Sequence, residues 1–218
     1  MSASATHPSP PFAIRDWVVV ALTVLLIASG VKPHDFLTWV LEISWVAAAI
    51  VMWWLWLRRL PVTTVSFALC VAHAVVLIIG GYYTYALVPA GAWMQELMHR
   101  PRNDYDRLGH FMQGFAPAMV WREVFMRNAI VRGRGWTVSI VIGMCLAFAA
   151  AFELLEFAVA MILGEASWAY LGSQGDIWDA QWDMLTCVVG AVAALVALSG
   201  VQDRGMGSPA APARPRDF

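Results

Sequence analysis

Residues 185–201 hold no charged side chain, and an uninterrupted apolar run of this length is read as a helix that crosses a bilayer. Five further stretches come close enough to the roughly 20 residues a spanning helix needs to be counted with it. They cover residues 17–31, 36–57, 62–87, 106–128 and 136–163, and the last apolar run extends back to give a sixth span at 179–201. The first is short and is followed by Pro33, which breaks it from the second. The fourth is the least hydrophobic, carrying His110, Gln113, Arg122 and Glu123. Residues 89–103 are too polar to span and read as a short interfacial segment. The expected fold class is therefore all-α, a polytopic membrane helical bundle of about six transmembrane helices.

Composition agrees. Of 218 residues, 60% are hydrophobic and 13% charged, against about half and a quarter in a soluble domain. Mean hydropathy is +0.64. A net charge of −1 gives no basic excess for nucleic acid. Cys70, Cys145 and Cys187 each sit in an apolar run without a C-x-x-C pair, so they read as small core residues. Residues 1–11 lack the basic n-region of a cleaved signal peptide. The expected organisation is a polar N-terminal segment (1–16), one transmembrane domain (17–202) and a Pro- and Gly-bearing tail (203–218), expected to be disordered and cytoplasmic.

With six spans the termini share a side, and nine cations lie there: Arg15, Arg58, Arg59, Arg127, Arg132, Arg134, Arg204, Arg214 and Arg216. Lys32, Arg100, Arg102 and Arg107 face the opposite side, with Arg122 inside a span. By the positive-inside rule both termini are cytoplasmic. The membrane-embedded acids then fall mostly in the outer half of the bilayer, Glu42 among them.

Three groups of polar residues stand out. Asp106 and His110 lie at i, i+4, with Gln113 and Pro117 on the same stripe; a carboxylate so placed can fix an imidazole's tautomer for metal binding or proton transfer. Alternatively, Asp106 is only a helix cap. Glu153 and Glu156 share a face at i, i+3 well inside the fifth span, where each acid costs on the order of 2.5–3.5 kcal/mol to insert, so they must face the bundle interior. A structural pair, with Arg122 or His110 as partner, is the bland reading. Asp176, Asp179 and Asp183, in the stretch G-D-I-W-D-A-Q-W-D-M, would share one helix face if the last helix begins by Asp176. Capping explains Asp176 or Asp179 but not Asp183, a turn further in. Trp178 and Trp182 read as interfacial anchors, and Glu123 with Arg127 as an i, i+4 ion pair.

The runs 106–111 (D-R-L-G-H-F), 152–156 (F-E-L-L-E) and 172–184 ending G-D-I-W-D-A-Q-W-D-M resemble the YjdF-like bacterial inner-membrane proteins, over residues 82–195. The same order is more distantly similar to VanZ-like membrane proteins, which show D-K-x-x-H-F, an E-x-x-Q and a last-span Asp followed by Asn and Gly. This chain has Arg107 for the Lys, Glu156 for the Gln, and Asp183 or Thr186 near the Asn. The resemblance implies a multi-pass protein of the bacterial inner membrane with an outer-leaflet site, and no particular reaction.

The expected site therefore comprises Asp106, His110, Glu153, Glu156, Asp176, Asp179 and Asp183. Of these, His110, Glu153, Glu156, Asp179 and Asp183 are the candidate metal ligands, since hard carboxylates with one imidazole suit a divalent cation. Uncompensated charge in a low-dielectric pocket is costly, so protons, a divalent cation or a basic side chain must neutralise it; Arg107 and Arg122 are the nearest cations in sequence. One reading is an enzyme or metal site acting on a lipid or lipid-linked head group. The other is a non-enzymatic lipid-, proton- or cation-binding membrane protein, carrier or scaffold. Membrane lipids are the expected partners in either case.

Overall fold

The computed structural model describes residues 13–164 and 168–206, and the regular elements among them are helices. In chain order they are α1 (Ile14–Ser29), α2 (Phe36–Leu55), α3 (Thr64–Tyr83), α4 (Pro89–Leu97), α5 (Tyr105–Arg127), α6 (Arg134–Leu163), α7 (Trp168–Leu171) and α8 (Asp179–Met206), with 3-10 turns at Leu57–Arg59 and Tyr85–Leu87. Most of the tail, together with residues 1–12, lies outside the described residues. The helix running on to Met206 carries regular structure a little past the expected boundary at 202.

Four helices, α2, α3, α6 and α8, are long and apolar enough to cross a membrane. The expected count of six is not reached on those criteria, for two different reasons. The 16 residues of α1 rise about 24 Å, short of a hydrocarbon core of about 30 Å. With 23 residues, α5 is long enough, but its polar side chains lower its hydropathy. Those side chains are turned inward: His110, Gln113, Arg122 and Glu123 are all buried. This helix is the centre of the bundle, packed against α3, α6 and α8.

The contact between α5 and α8 is the most extensive in the protein, and small residues make it possible. A Cβ added to Gly114 would stand 1.8 Å from the carbonyl oxygen of Cys187, and one added to Gly190 would stand 2.1 Å from that of Phe111. Close approach through small residues is how helices pack in lipid, where the hydrophobic effect offers no drive between them. Ala118, Cys145, Ala149, Cys187, Ala191 and Ala194 continue this tight core across α5, α6 and α8. Cys70, expected in the core, is exposed instead. A second cluster, Leu22, Leu26, Val46 and Ile78, joins α1, α2 and α3.

The two helices run parallel, so each end of the bundle has its own polar lock. At the end where α5 finishes, Arg122 donates to Gln202 Oε1 at 2.5 Å and to Asp203 at 2.6 Å. Glu123 accepts from the backbone N–H of Thr63 and from the hydroxyls of Thr63 and Ser66 at 2.7–2.8 Å, and pairs with Arg127 at 2.7 Å. The Glu123–Arg127 pair was expected; the partners of Arg122 were not, and they leave it no part in neutralising the acids at the opposite end.

Candidate functional site

At the end where α5 begins, the acids divide into two tiers. The upper tier is an ion-pair network built on the segment before α5. Arg102, buried to 6% exposure, donates to Asp179, and lies 3.8 Å from Asp176 and 3.9 Å from Asp106. Burial works against its charge, but the hydrogen bond and charge of Asp179, with Asp106 and Asp183 beyond, more than offset this and raise its pKa. Arg107 pairs with Asp176 at 2.8 Å and stacks over Trp182 at 5.6 Å. Arg102 also reaches the carbonyls of Gly172 and Ser173. Asn103 and Gln174 exchange two hydrogen bonds of 2.9–3.0 Å, so the segments preceding α5 and α8 are clasped together.

This network corrects one expectation. The last helix begins at Asp179, not by Asp176. Gly175, with φ of +86°, turns the chain just before, and Asp176 caps the turn by accepting from Trp178 N–H at 2.9 Å. Asp176 is therefore off the helix face and held by arginines. Asp179, although on the helix, is likewise taken by Arg102.

The lower tier lies beneath. Asp106, His110 and Asp183 each present a ligand atom within 4.8 Å of the other two. His110 Nε2 is 3.7 Å from Asp106 Oδ1 and 3.6 Å from Glu153 Oε1, which brings α6 to the same point. The other ring nitrogen, Nδ1, donates to Gln113 Oε1 at 2.9 Å, one turn along the same helix. That bond orients the ring and makes Nε2 the atom that faces the carboxylates. Glu153 Oε1 and Asp183 Oδ1 are buried with no hydrogen-bond partner among the described residues. Buried acceptors in this state are rare and need an explanation.

Of the residues expected at the site, Asp106, His110 and Asp183 come together here, and Glu153 reaches His110 from α6. Glu156 lies a turn further along α6, within electrostatic range of Asp106, Glu153, Glu42 and Asp183, but outside the close trio. Sequence reasoning missed two contributors. Arg102 was counted only as a flanking cation, although its i, i+4 spacing to Asp106 was visible. Tyr85, which lines the same cavity as Glu42, carried no signal beyond its place among Tyr82, Tyr83 and Tyr85.

A cavity of about 380 Å³ opens from this tier between α2, α3, α5 and α6. Glu42, Tyr85, Asp106, His110 and Gln113 form its polar end. Below them the wall is mainly apolar, and it includes Pro117, which cannot donate the backbone bond that Gln113 O would receive in a regular helix.

Comparison with known proteins agrees with the resemblance to YjdF-like proteins. Residues 14–204 match the family described as "Predicted membrane protein (DUF2238)". The chain is also 41% identical over 180 residues to the inner membrane protein YjdF of Escherichia coli (strain K12), covering 83% of this chain and 86% of that one. These comparisons do not show the VanZ-like similarity, and no solved structure matches. Reaching from the start of α1 into the end of α8, the match establishes that the chain belongs to the DUF2238 family of membrane proteins.

Proposed function

We propose that Asp106, His110 and Asp183 hold a divalent cation, with the Glu153 carboxylate beside His110 supporting it, and that the cation-bound form handles the phosphate or polar head group of a membrane lipid. The observation that carries this reading is the trio of Asp106, His110 and Asp183, each with a ligand atom within 4.8 Å of the other two, in which Asp183 Oδ1 is buried without a hydrogen-bond partner among the described residues. A cation held by Asp106, His110 and Asp183 would satisfy the Asp183 oxygen and offset the clustered negative charge; carboxylates with one imidazole suit Zn²⁺, Mn²⁺ or Mg²⁺. A bound cation with an open position can polarise a phosphoryl oxygen or activate water. Arg102 and Arg107 are already paired to Asp106, Asp176 and Asp179, so the positive charge that draws an anion in this reading is the cation's own. In this reading both termini are cytoplasmic, α1 and α5 complete six crossings, and the site opens to the outer leaflet of the inner membrane.

The test is elemental analysis of protein purified in gentle detergent, with thermal unfolding in chelator and in added cation, and lipid mass spectrometry on the same preparation. Stoichiometric metal that is lost in Asp183→Asn and Glu153→Gln supports the reading. If those variants leave metal content, chelator sensitivity and bound lipid all unchanged, the acids are structural and the reading fails.

A further inference from the structure

The cavity beneath the acidic tier is the feature the proposed head-group site does not use. Its lining follows α2 from Glu42 to Met52 and α5 from Asp106 to Pro117. Ten or eleven helical residues rise about 15–16 Å, so the cavity is as deep as one leaflet of a hydrocarbon core about 30 Å thick. Its volume of about 380 Å³ lies within the roughly 300–1,000 Å³ of ligand-binding cavities. Polarity is concentrated toward one end, with Gln113 carrying it about 10 Å along α5 from Asp106. Further down, Val46, Ala49, Met52, Ala74 and Phe148 form the wall, with His73 as a polar exception.

The cavity also has a side facing lipid. Here α2 packs on α3 and α6 packs on α5 and α8, and the two flanking helices meet across a seam of aromatic side chains. Trp45 stands edge-on to Phe148 with ring centres 5.5 Å apart and leans on Phe152 at 6.1 Å. Trp45 and Phe148 are 37% and 39% exposed, so one face of this bridge lines the cavity and another meets the membrane. Side chains can swing aside at such a seam without disturbing the α5–α8 core.

From the depth, the one-ended polarity and the lateral seam, we propose that the cavity takes one hydrocarbon chain of a phosphate-bearing lipid, which enters between α2 and α6 while its head group rests at Asp106, His110, Glu153 and Asp183. This proposal rests on the head-group reading above for the position of the phosphate, but the chain site stands on its own geometry. Substrate selection then has two parts: charge chemistry at the acidic tier, and chain occupancy fixed by the apolar wall.

The experiment uses the full chain in vesicles containing phosphatidic acid with a photoactivatable diazirine at the end of one acyl chain, followed by peptide mapping of the adducts. Adducts on cavity-lining residues near Met52, Cys70 and Ala74 are expected. Two variants narrow the result: Ala49→Trp, which fills the cavity, and Trp45→Ala, which opens the seam. Ala49→Trp should lower cavity adducts at least tenfold with metal content unchanged, and Trp45→Ala should raise the rate at which they form. Adducts scattered over the lipid-facing sides of α2 and α6, equally in wild type and variants, would overturn the proposal, and the wild-type map alone decides this if a variant fails to fold. Cavity adducts formed by a wild-type protein that purifies without metal, and that gains no stability from added cation, would sink the cation reading while leaving the chain site standing.

Discussion

His110 Nε2 lies 3.6 Å from Glu153 Oε1, on a neighbouring helix, while Nδ1 of the same ring donates to Gln113. The ring is thus held from behind and left free in front. Nε2 is the ring atom presented to the acidic residues, and Glu153 Oε1 beside it has no hydrogen-bond partner among the described residues.

The first prediction follows from the sign of the charge. Asp183 is 2% exposed and close to Asp106, so without a cation its charge opposes folding, and with a cation it favours it. In chelator, Asp183→Asn is expected to unfold at the same temperature as wild type or higher. In saturating cation the order reverses, because wild type gains about 2.7 kcal/mol at a hundredfold excess over Kd and the variant gains less. A variant destabilised equally in both conditions would mark Asp183 as a structural residue.

Arg102 gives a second test. Removing one partner of a buried ion pair leaves charge uncompensated, at a cost of about 3–5 kcal/mol. Arg102→Ala strands Asp179 and exposes Asp106 and Asp176 to one another, so a loss of that order is expected in denaturant unfolding. Arg107→Ala should cost much less, since Arg107 and its partner Asp176 are more exposed. Equal losses would show that burial does not set Arg102 apart from Arg107 in holding the upper tier together.

Much of the fold was legible because insertion into lipid imposes length and composition together, and every expected span corresponds to a helix within a few residues. The central position of α5 was less legible. Low hydropathy marks a helix as unusual, but whether it lies on the surface or at the bundle centre depends on partners such as Gly190 that a pattern within α5 does not contain. The acids were recognisable as a group for the same reason that they are costly in a membrane. Their division was not, because it depends on Arg102 reaching 77 residues along the chain to Asp179, and on the turn at Gly175 taking Asp176 off the helix.

The close α5–α8 contact predicts a sharp contrast among glycines. Gly190→Ala would place a methyl group 2.1 Å from the Phe111 carbonyl oxygen, and because that obstacle is backbone the two helices must separate. The loss should reach or exceed the roughly 1–3 kcal/mol of core overpacking. Gly143 has nothing within 4 Å of an added Cβ, and Gly143→Ala should be neutral or slightly stabilising through helix propensity. Thermal unfolding of the two variants side by side checks the contrast.

Orientation is tested by reporters. Nine of fourteen Lys and Arg residues fall on the side assigned to the termini, so a reporter fused after Met206 should behave as cytoplasmic and one inserted near Ser173 as periplasmic. The opposite pattern would move the acidic tier to the inner leaflet and require a cytoplasmic-facing lipid. Matching signals on one side would show that an odd number of crossings does not separate them.

The last prediction separates the two ends of α5. Glu123 is 3% exposed and accepts hydrogen bonds from Thr63 and Ser66 while pairing with Arg127, so it fastens the start of α3 to the end of α5. Glu123→Ala leaves those donors without their acceptor, and each buried group so stranded costs about 1–3 kcal/mol. Yet Glu123 stands 13 residues along the helix from His110, about 20 Å away by helical rise. Its loss should lower unfolding temperature without altering metal content per folded molecule or the pattern of lipid adducts in the cavity. Glu153→Gln should do the reverse, sparing stability in chelator while reducing bound metal. If both variants change metal content in proportion to lost stability, cation binding reports only the integrity of the bundle, and the acidic tier would have no separate chemistry to explain.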